Sequence, residues 1–132
     1  MQTEISAAMM ELSDASLYER EARLLREKII DGGRIGERFE RFAEEERSHL
    51  EALKQIFPGL ESSLQKNEAV APGNSLRAIL RTHAARELQA IRAYEELLRR
   101  PLAPLHALLI KGILTDERRH LETVIHCLKN LR

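Results

Sequence analysis

One ten-residue segment occurs twice in the sequence, and this repeat limits the possible folds more than any other feature. FAEEERSHLE occupies residues 42–51, and ILTDERRHLE occupies residues 113–122. Both segments contain a glutamate followed three residues later by a histidine: Glu46 and His49, then Glu117 and His120. Because residues three apart lie on one face of an α-helix, each segment predicts a helix that presents both side chains together. We interpret the two halves of the chain as one helical hairpin used twice.

Glycine and proline divide the chain into four segments in which apolar residues recur at helical spacing. This pattern predicts an all-α fold with four amphipathic helices at about residues 3–31, 34–57, 75–99 and 103–131. The short breaks predict two antiparallel hairpins, and residues 58–74 are long enough to cross over along a bundle. We therefore expect one domain over residues 1–132, a four-helix bundle made of two hairpins.

Composition excludes several classes of protein. The 132 residues include 21 Lys+Arg and 21 Asp+Glu, so no bulk charge attracts nucleic acid or an anionic membrane. A hydrophobic fraction of 43% with 32% charged residues is typical of a folded, non-membrane chain. The single cysteine excludes a disulfide framework and a CxxC metal site. Because the N-terminal segment does not resemble a signal peptide, we expect a soluble, cytoplasmic protein with no nucleic-acid or membrane partner.

Polar residues interrupt the apolar stripe of each predicted helix near its middle. The first and third helices place Glu19 and Glu87 among leucines and alanines. Glu19 lies 12 residues before Asp31, and Glu46 lies 12 residues after Arg34, so both would stand ~18 Å from the same turn. Six side chains are therefore expected to meet in one layer: Glu19, Glu46, His49, Glu87, Glu117 and His120.

This donor set favours a site for two metal ions. Buried carboxylates without partners cost several kcal/mol, and two divalent cations would balance four of them. One glutamate from each of two helices plus Glu-x-x-His from each of the other two is typical of di-iron or di-manganese centres. We predict two iron ions, and manganese or zinc is also compatible with these ligands. The alternative is a core of Glu–Arg pairs, with Arg26 or Arg23 opposite Glu19, which leaves both histidines unexplained.

The motifs resemble those of a known family. They are Glu19-x-x-Ala22, Glu46-x-x-His49, Glu87-x-x-Ala90-x-x-x-Tyr94 and Glu117-x-x-His120. Together they are similar to the ferritin-like superfamily, most closely its rubrerythrin-type di-iron domain, over nearly the whole chain. The resemblance implies a ferritin-like four-helix bundle in which Glu46 and Glu117 bridge the metals and Glu19 and Glu87 are terminal ligands.

Three departures from the family pattern affect the expected chemistry. The four-cysteine rubredoxin domain is absent, Ala90 stands where rubrerythrins carry an extra metal-binding glutamate, and Arg26 stands where a tyrosine is expected. These departures disfavour peroxide reduction relative to an oxygen reaction.

Three further polar residues have two interpretations each. Asp116 and Glu45 precede the bridging glutamates and either orient a histidine through its far nitrogen or are solvated. His83, one turn before Glu87, is either a satisfied inner histidine, which we favour, or a ligand of a third metal.

Three functions are compatible with such a centre. The first is a redox enzyme of ferroxidase or peroxidase type that reacts with O2 or H2O2, with no catalytic residue beyond the metal ligands. The second is an iron-storage subunit of a ferritin-like assembly, and the third is a bundle that a metal stabilises without catalysis. We expect a homodimer or a larger homo-oligomer.

Overall fold

A computed structural model describes residues 2–28, 32–64 and 75–131 of the chain. This part contains five helices and no strand: α1 (Gln2–Lys28), α2 (Gly32–Ile56), α3 (Leu60–Ser63), α4 (Leu76–Leu98) and α5 (Pro104–Asn130). The predicted all-α, ferritin-like fold is confirmed. The short helix α3 falls within the expected crossover and was not predicted. The predicted helical residues 29–31 and the crossover residues 65–74 lie outside the described part.

Local sequence explains where several helices begin and end. The Ser75 side chain accepts a hydrogen bond from the backbone N–H of Ala78 at 3.1 Å, which caps the first turn of α4. Pro104 occupies the first turn of α5, where its missing N–H costs no helical hydrogen bond. Gly59 has a φ of 90°, which glycine adopts without steric cost, and it turns the chain from α2 into α3.

The four long helices pack as two hairpins side by side. Helix α1 contacts α2 and α4 contacts α5, while α1–α4 and α2–α5 contacts join the hairpins. The approach of α1 to α2 is closest near Gly36. A Cβ atom there would lie 3.0 Å from Cγ of Arg26 and 3.1 Å from the carbonyl oxygen of Ala22. Helices α1 and α5 are therefore diagonal partners, as are α2 and α4.

The interior consists of two apolar clusters with polar residues between them. The first core cluster includes Ala8, Leu53, Tyr94, Leu97 and Ile110. The second core cluster includes Tyr18, Phe39, Phe42, Leu80 and Val124. Along every long helix, buried polar residues lie between the members of the two clusters. We call this polar set the central layer: Glu11, Asp14, Glu46, His49, His83, Glu87, Glu117 and His120.

In the described part of the chain, none of the helices combines the length and the apolar character that a bilayer crossing requires.

Candidate metal centre

The central layer contains two overlapping groups of possible metal ligands. The first group consists of Glu11, Glu46, His49 and Glu117. The second group consists of Glu46, Glu87, Glu117 and His120. Within each group, one ligand atom from every residue lies within 4.8 Å of the others. Because Glu46 and Glu117 belong to both groups, the two positions are adjacent.

The structure brings together five of the six residues that the sequence singled out, and Glu19 is the exception. Glu19 has a side chain that is 49% exposed and forms an ion pair with Arg47 on the surface. The residue that α1 contributes to the central layer is Glu11, which is 1% exposed. The expectation for Glu19 therefore needs correction.

Both the height and the direction of Glu19 explain its exclusion. Counted from the observed helix ends, Glu11 lies 17 residues before Lys28 and Glu46 lies 14 residues after Gly32, whereas Glu19 lies only nine before Lys28. Eight residues of α-helix also rotate a side chain by roughly 80° relative to the starting position. Glu19 thus points away from the layer that Glu11 enters.

A sequence signal for Glu11 existed and was missed. Glu11 is followed seven residues later by Tyr18, as Glu87 is followed by Tyr94, and both pairs are 76 residues apart in the chain. The sequence analysis placed Arg26 at the expected tyrosine position because it counted from Glu19. Counted from Glu11, the tyrosine is present.

The two tyrosines link the hairpins through the terminal carboxylates. The Tyr18 hydroxyl donates a hydrogen bond to Oε1 of Glu87 at 3.0 Å, and the Tyr94 hydroxyl donates one to Oε1 of Glu11. Burial raises the pKa of both tyrosines well above the usual value, and the nearby carboxylates raise it further. Both hydroxyls therefore remain protonated donors that hold Glu11 and Glu87 in place.

Each histidine of the two groups is oriented by a carboxylate outside the groups. Nε2 of His49 lies 2.8 Å from Oδ2 of Asp116, and Nε2 of His120 lies 3.1 Å from Oε1 of Glu45. Of the two interpretations of Asp116 and Glu45, the structure shows contact with the histidines. Arg119 donates hydrogen bonds to both carboxylates. Each Nδ1 atom is therefore left facing the acidic groups, as a second partner of a metal-binding imidazole would leave it.

Eight atoms of the two groups are buried without a hydrogen-bond partner. They are Oε2 of Glu11, both oxygens of Glu46, Nδ1 of His49, Oε2 of Glu87, both oxygens of Glu117 and Nδ1 of His120. Buried polar atoms in folded proteins almost always have partners, because an unsatisfied one costs about 1–3 kcal/mol. Lone pairs that converge without donors match the needs of cations, so these residues fit a pair of metal ions.

The electrostatics of the metal-free layer agree with this fit. Burial raises the pKa of Glu46 well above its usual value, and the charges of Glu11 and Glu117 raise it further. Burial, followed by the charge of Glu117, raises the pKa of Glu87 to about 7. Burial alone would lower the pKa of His49, but hydrogen bonds to carboxylates raise it. Without metal, the layer therefore holds protons that carboxylates and imidazoles do not normally keep.

The profile of the rubrerythrin family matches residues 5–125 of the chain. A search of curated proteins and a search of solved structures gave no significant match. The family binds a di-iron site, and the buried carboxylates and imidazoles described above are the donors that such a site needs. With a match that spans nearly the whole chain and a bundle of the corresponding architecture, the protein belongs to the rubrerythrin family.

Proposed function

We propose that the chain binds two iron ions in the central layer and uses them in a redox reaction of ferroxidase or peroxidase type with O2 or H2O2. The observation that carries this proposal is the convergence of eight buried, unpartnered ligand atoms from four helices. Zinc or manganese could be held by the same donor types, so the choice of iron rests on family membership.

The overlap of the two groups assigns the ligands. Glu46 and Glu117 belong to both groups and would bridge the two ions. Glu11 and His49 would complete one position, and Glu87 and His120 would complete the other. Four carboxylates carry four negative charges, which two divalent cations balance, so a loaded centre is neutral in the apolar interior.

The chain contributes exclusion of water, fixed ligands and protonated donors. All six ligands are at most 5% exposed, and apolar clusters lie on both sides of the layer. The Tyr18 and Tyr94 hydroxyls hold the terminal carboxylates from opposite helices. Iron, when bound, supplies the two electrons that H2O2, or O2 in its first reduction, accepts.

The substrate preference follows from the position three residues after Glu87. Ala90 is buried there and carries no carboxylate, whereas the rubrerythrin pattern places an extra ligand at this point. Without that ligand, the centre lacks a group that distinguishes rubrerythrin-type peroxide reduction. We therefore expect O2 to react at least as fast as H2O2, which is the ferroxidase-like outcome.

The test is anaerobic loading with Fe(II), followed by rapid mixing with O2 or with H2O2. The near-ultraviolet absorbance of ferric iron should rise within seconds to minutes in the wild-type protein. The double variant Glu46→Gln/Glu117→Gln removes both shared carboxylates and should oxidise Fe(II) no faster than buffer. The matched control Glu19→Gln removes a surface carboxylate and should behave like the wild type. Metal binding without accelerated oxidation would replace the redox proposal with a structural metal site.

A further inference from the structure

A second buried polar group lies beside the proposed two-metal centre, between α1 and α4. Asp14, Glu21 and His83 are all 0% exposed. None of the three belongs to the two ligand groups of the centre, and the redox proposal assigns them no role. Asp14, His83 and Glu87 nevertheless form a third set whose ligand atoms lie within 4.8 Å of one another.

Several oxygens of this region lack partners. Oδ2 of Asp14, Oε2 of Glu21 and Oε2 of Glu87 are buried without a hydrogen bond. Arg86 donates a hydrogen bond to Oδ1 of Asp14 at 2.6 Å, so only one oxygen of that carboxylate is engaged. The unsatisfied oxygens are an observation independent of the grouping, because a set of acidic residues can also satisfy itself with lysine or arginine.

The orientation of His83 repeats that of the two histidines of the centre. Nδ1 of His83 lies 2.6 Å from Oε1 of Glu21, and Nε2 lies 3.2 Å from Oε1 of Glu87. In all three cases, one ring nitrogen contacts a carboxylate outside the ligand group and the other faces into the group. A carboxylate on the far nitrogen is the usual support of a metal-binding histidine, because it fixes both the ring and its tautomer.

The charges of the region also leave room for a third cation. Eight carboxylates lie in or directly beside the layer: Glu11, Asp14, Glu21, Glu45, Glu46, Glu87, Asp116 and Glu117. Two guanidinium groups contact them, Arg86 and Arg119. Eight negative and two positive charges leave six negative charges, which three divalent cations balance and two do not.

We propose that Asp14, His83 and Glu87 form a third metal site that shares Glu87 with the two-metal centre. Glu21 is a positioning residue that directs Nε2 of His83 toward the metal. Two carboxylates and one imidazole suit a divalent transition metal ion. This site replaces our expectation that His83 is a satisfied inner histidine. It rests on the proposed centre only through Glu87, and it does not depend on the redox reaction.

The test counts bound ions with Co2+ as the probe. The whole chain is saturated with Co2+, freed of excess metal by gel filtration, and measured by elemental analysis. The wild type should hold three ions per chain, and Asp14→Asn and His83→Gln should hold two. Glu4→Gln is the matched control, since it removes a buried carboxylate of α1 that pairs with Arg100 far from the layer. This control should hold three ions.

Anomalous scattering at the cobalt edge from crystals of the wild type gives a second readout that needs no variant. A peak between Asp14 and His83, in addition to two peaks between Glu46 and Glu117, is expected. Two ions in the wild type, or three in both site variants, would overturn the third site alone. Loss of more than one ion in His83→Gln would also overturn it, because His83 would then support the two-metal centre. A wild type without any bound Co2+ would overturn the two-metal centre as well.

Discussion

The Glu11 side and the Glu87 side of the central layer have matching ligands but different surroundings. Each terminal carboxylate accepts a hydrogen bond from a tyrosine of the opposite helix. Around these matched parts, residues 76 positions apart differ sharply in polarity: Ala7 and His83, Asp14 and Ala90, Glu21 and Leu97. The Glu11 side is thus bordered by alanine and leucine, and the Glu87 side by two carboxylates and an imidazole.

This difference shows which parts of a duplicated hairpin are constrained. Two adjacent cations need the same ligand types on both sides, and the repeat retains them. The positions one turn away are buried on both sides, yet on the Glu11 side they belong to the first core cluster. Buried charge is costly unless it is matched, so polar residues on only one side require a partner on that side. The two metal positions should therefore differ in affinity.

Removal of all metal should have the largest effect on both sides. Metal that binds only the folded state raises its stability, by about 4 kcal/mol at 1,000 times the dissociation constant. Chelation at pH 7.5 should therefore lower the Tm by roughly 10–20 °C. Differential scanning calorimetry with and without chelator measures this shift. An unchanged Tm would mean that the carboxylates of the layer do not hold metal.

The effect of chelation should shrink as the pH falls. In the metal-free protein, burial raises the pKa of Glu87 from 4.5 to about 7 and that of Asp14 from 3.8 to about 6. A carboxyl group with a raised pKa in the folded state favours folding at low pH, and this contribution is lost as the pH rises toward the folded value. The metal-free protein should lose stability from about pH 4 to pH 7. A metal-free Tm that rises over this range would contradict the prediction.

Substitution of the two terminal glutamates should separate the sides. Glu87 belongs to the second ligand group and to the proposed third site, whereas Glu11 belongs only to the first group. Glu87→Gln should therefore lose two Co2+ ions per chain, and Glu11→Gln should lose one. Elemental analysis of Co2+-saturated protein measures both losses. Equal losses would mean that the polar residues on the Glu87 side hold no metal of their own.

Loss of the tyrosine hydroxyls should have a smaller and unequal effect. In Tyr18→Phe, Glu87 retains its contact with His83 at 3.2 Å. In Tyr94→Phe, Glu11 loses the donor that holds its Oε1, and its Oε2 is already without a partner. A hydrogen bond to a charged group contributes about 1.5–3 kcal/mol. We expect Tyr94→Phe to weaken Co2+ binding roughly tenfold, by the same conversion of free energy to affinity.

Competition with a chelator of known affinity measures the two tyrosine variants against the wild type. Tyr18→Phe serves as the matched control because it removes the same hydroxyl from the other side. A greater loss of affinity in Tyr18→Phe than in Tyr94→Phe would reverse our ranking of the two sides.

Substitution of Glu19 should have the smallest effect. Glu19→Gln breaks an exposed ion pair with Arg47, and exposed pairs contribute little to stability. The variant should keep the wild-type number of Co2+ ions and an unchanged Tm, in contrast to Glu11→Gln. Loss of an ion in Glu19→Gln would return this residue to the metal centre and exclude Glu11.

The sequence predicted the second, fourth and fifth helices of the bundle, and their ligands, better than those of the first. In α2 and α5, Glu46, His49 and Glu117 interrupt otherwise regular apolar stripes, so the inward face is easy to identify. The inward face of α1 carries several acidic residues, and its apolar pattern therefore does not distinguish Glu11 from Glu19. Only contacts across the bundle, such as that of Glu11 with Tyr94, separate the two.

The third group illustrates a different limit. Asp14, Glu21 and His83 lie on two helices from different hairpins, and no short motif connects them. His83 could be placed near Glu87 from its spacing on α4, but its contact with Glu21 depends on how α1 packs against α4. Sequence spacing describes one helix at a time and does not provide this information.

Arg119 gives the buried histidines a common link to solvent. Its side chain is 50% exposed, and it bonds to both Glu45 and Asp116, which in turn hold His120 and His49. Dissolved salt weakens ion pairs at the surface far more than those in the interior. Ionic strength should therefore loosen both imidazoles together, so that the two proposed metal positions respond to the composition of the surrounding water through a single guanidinium.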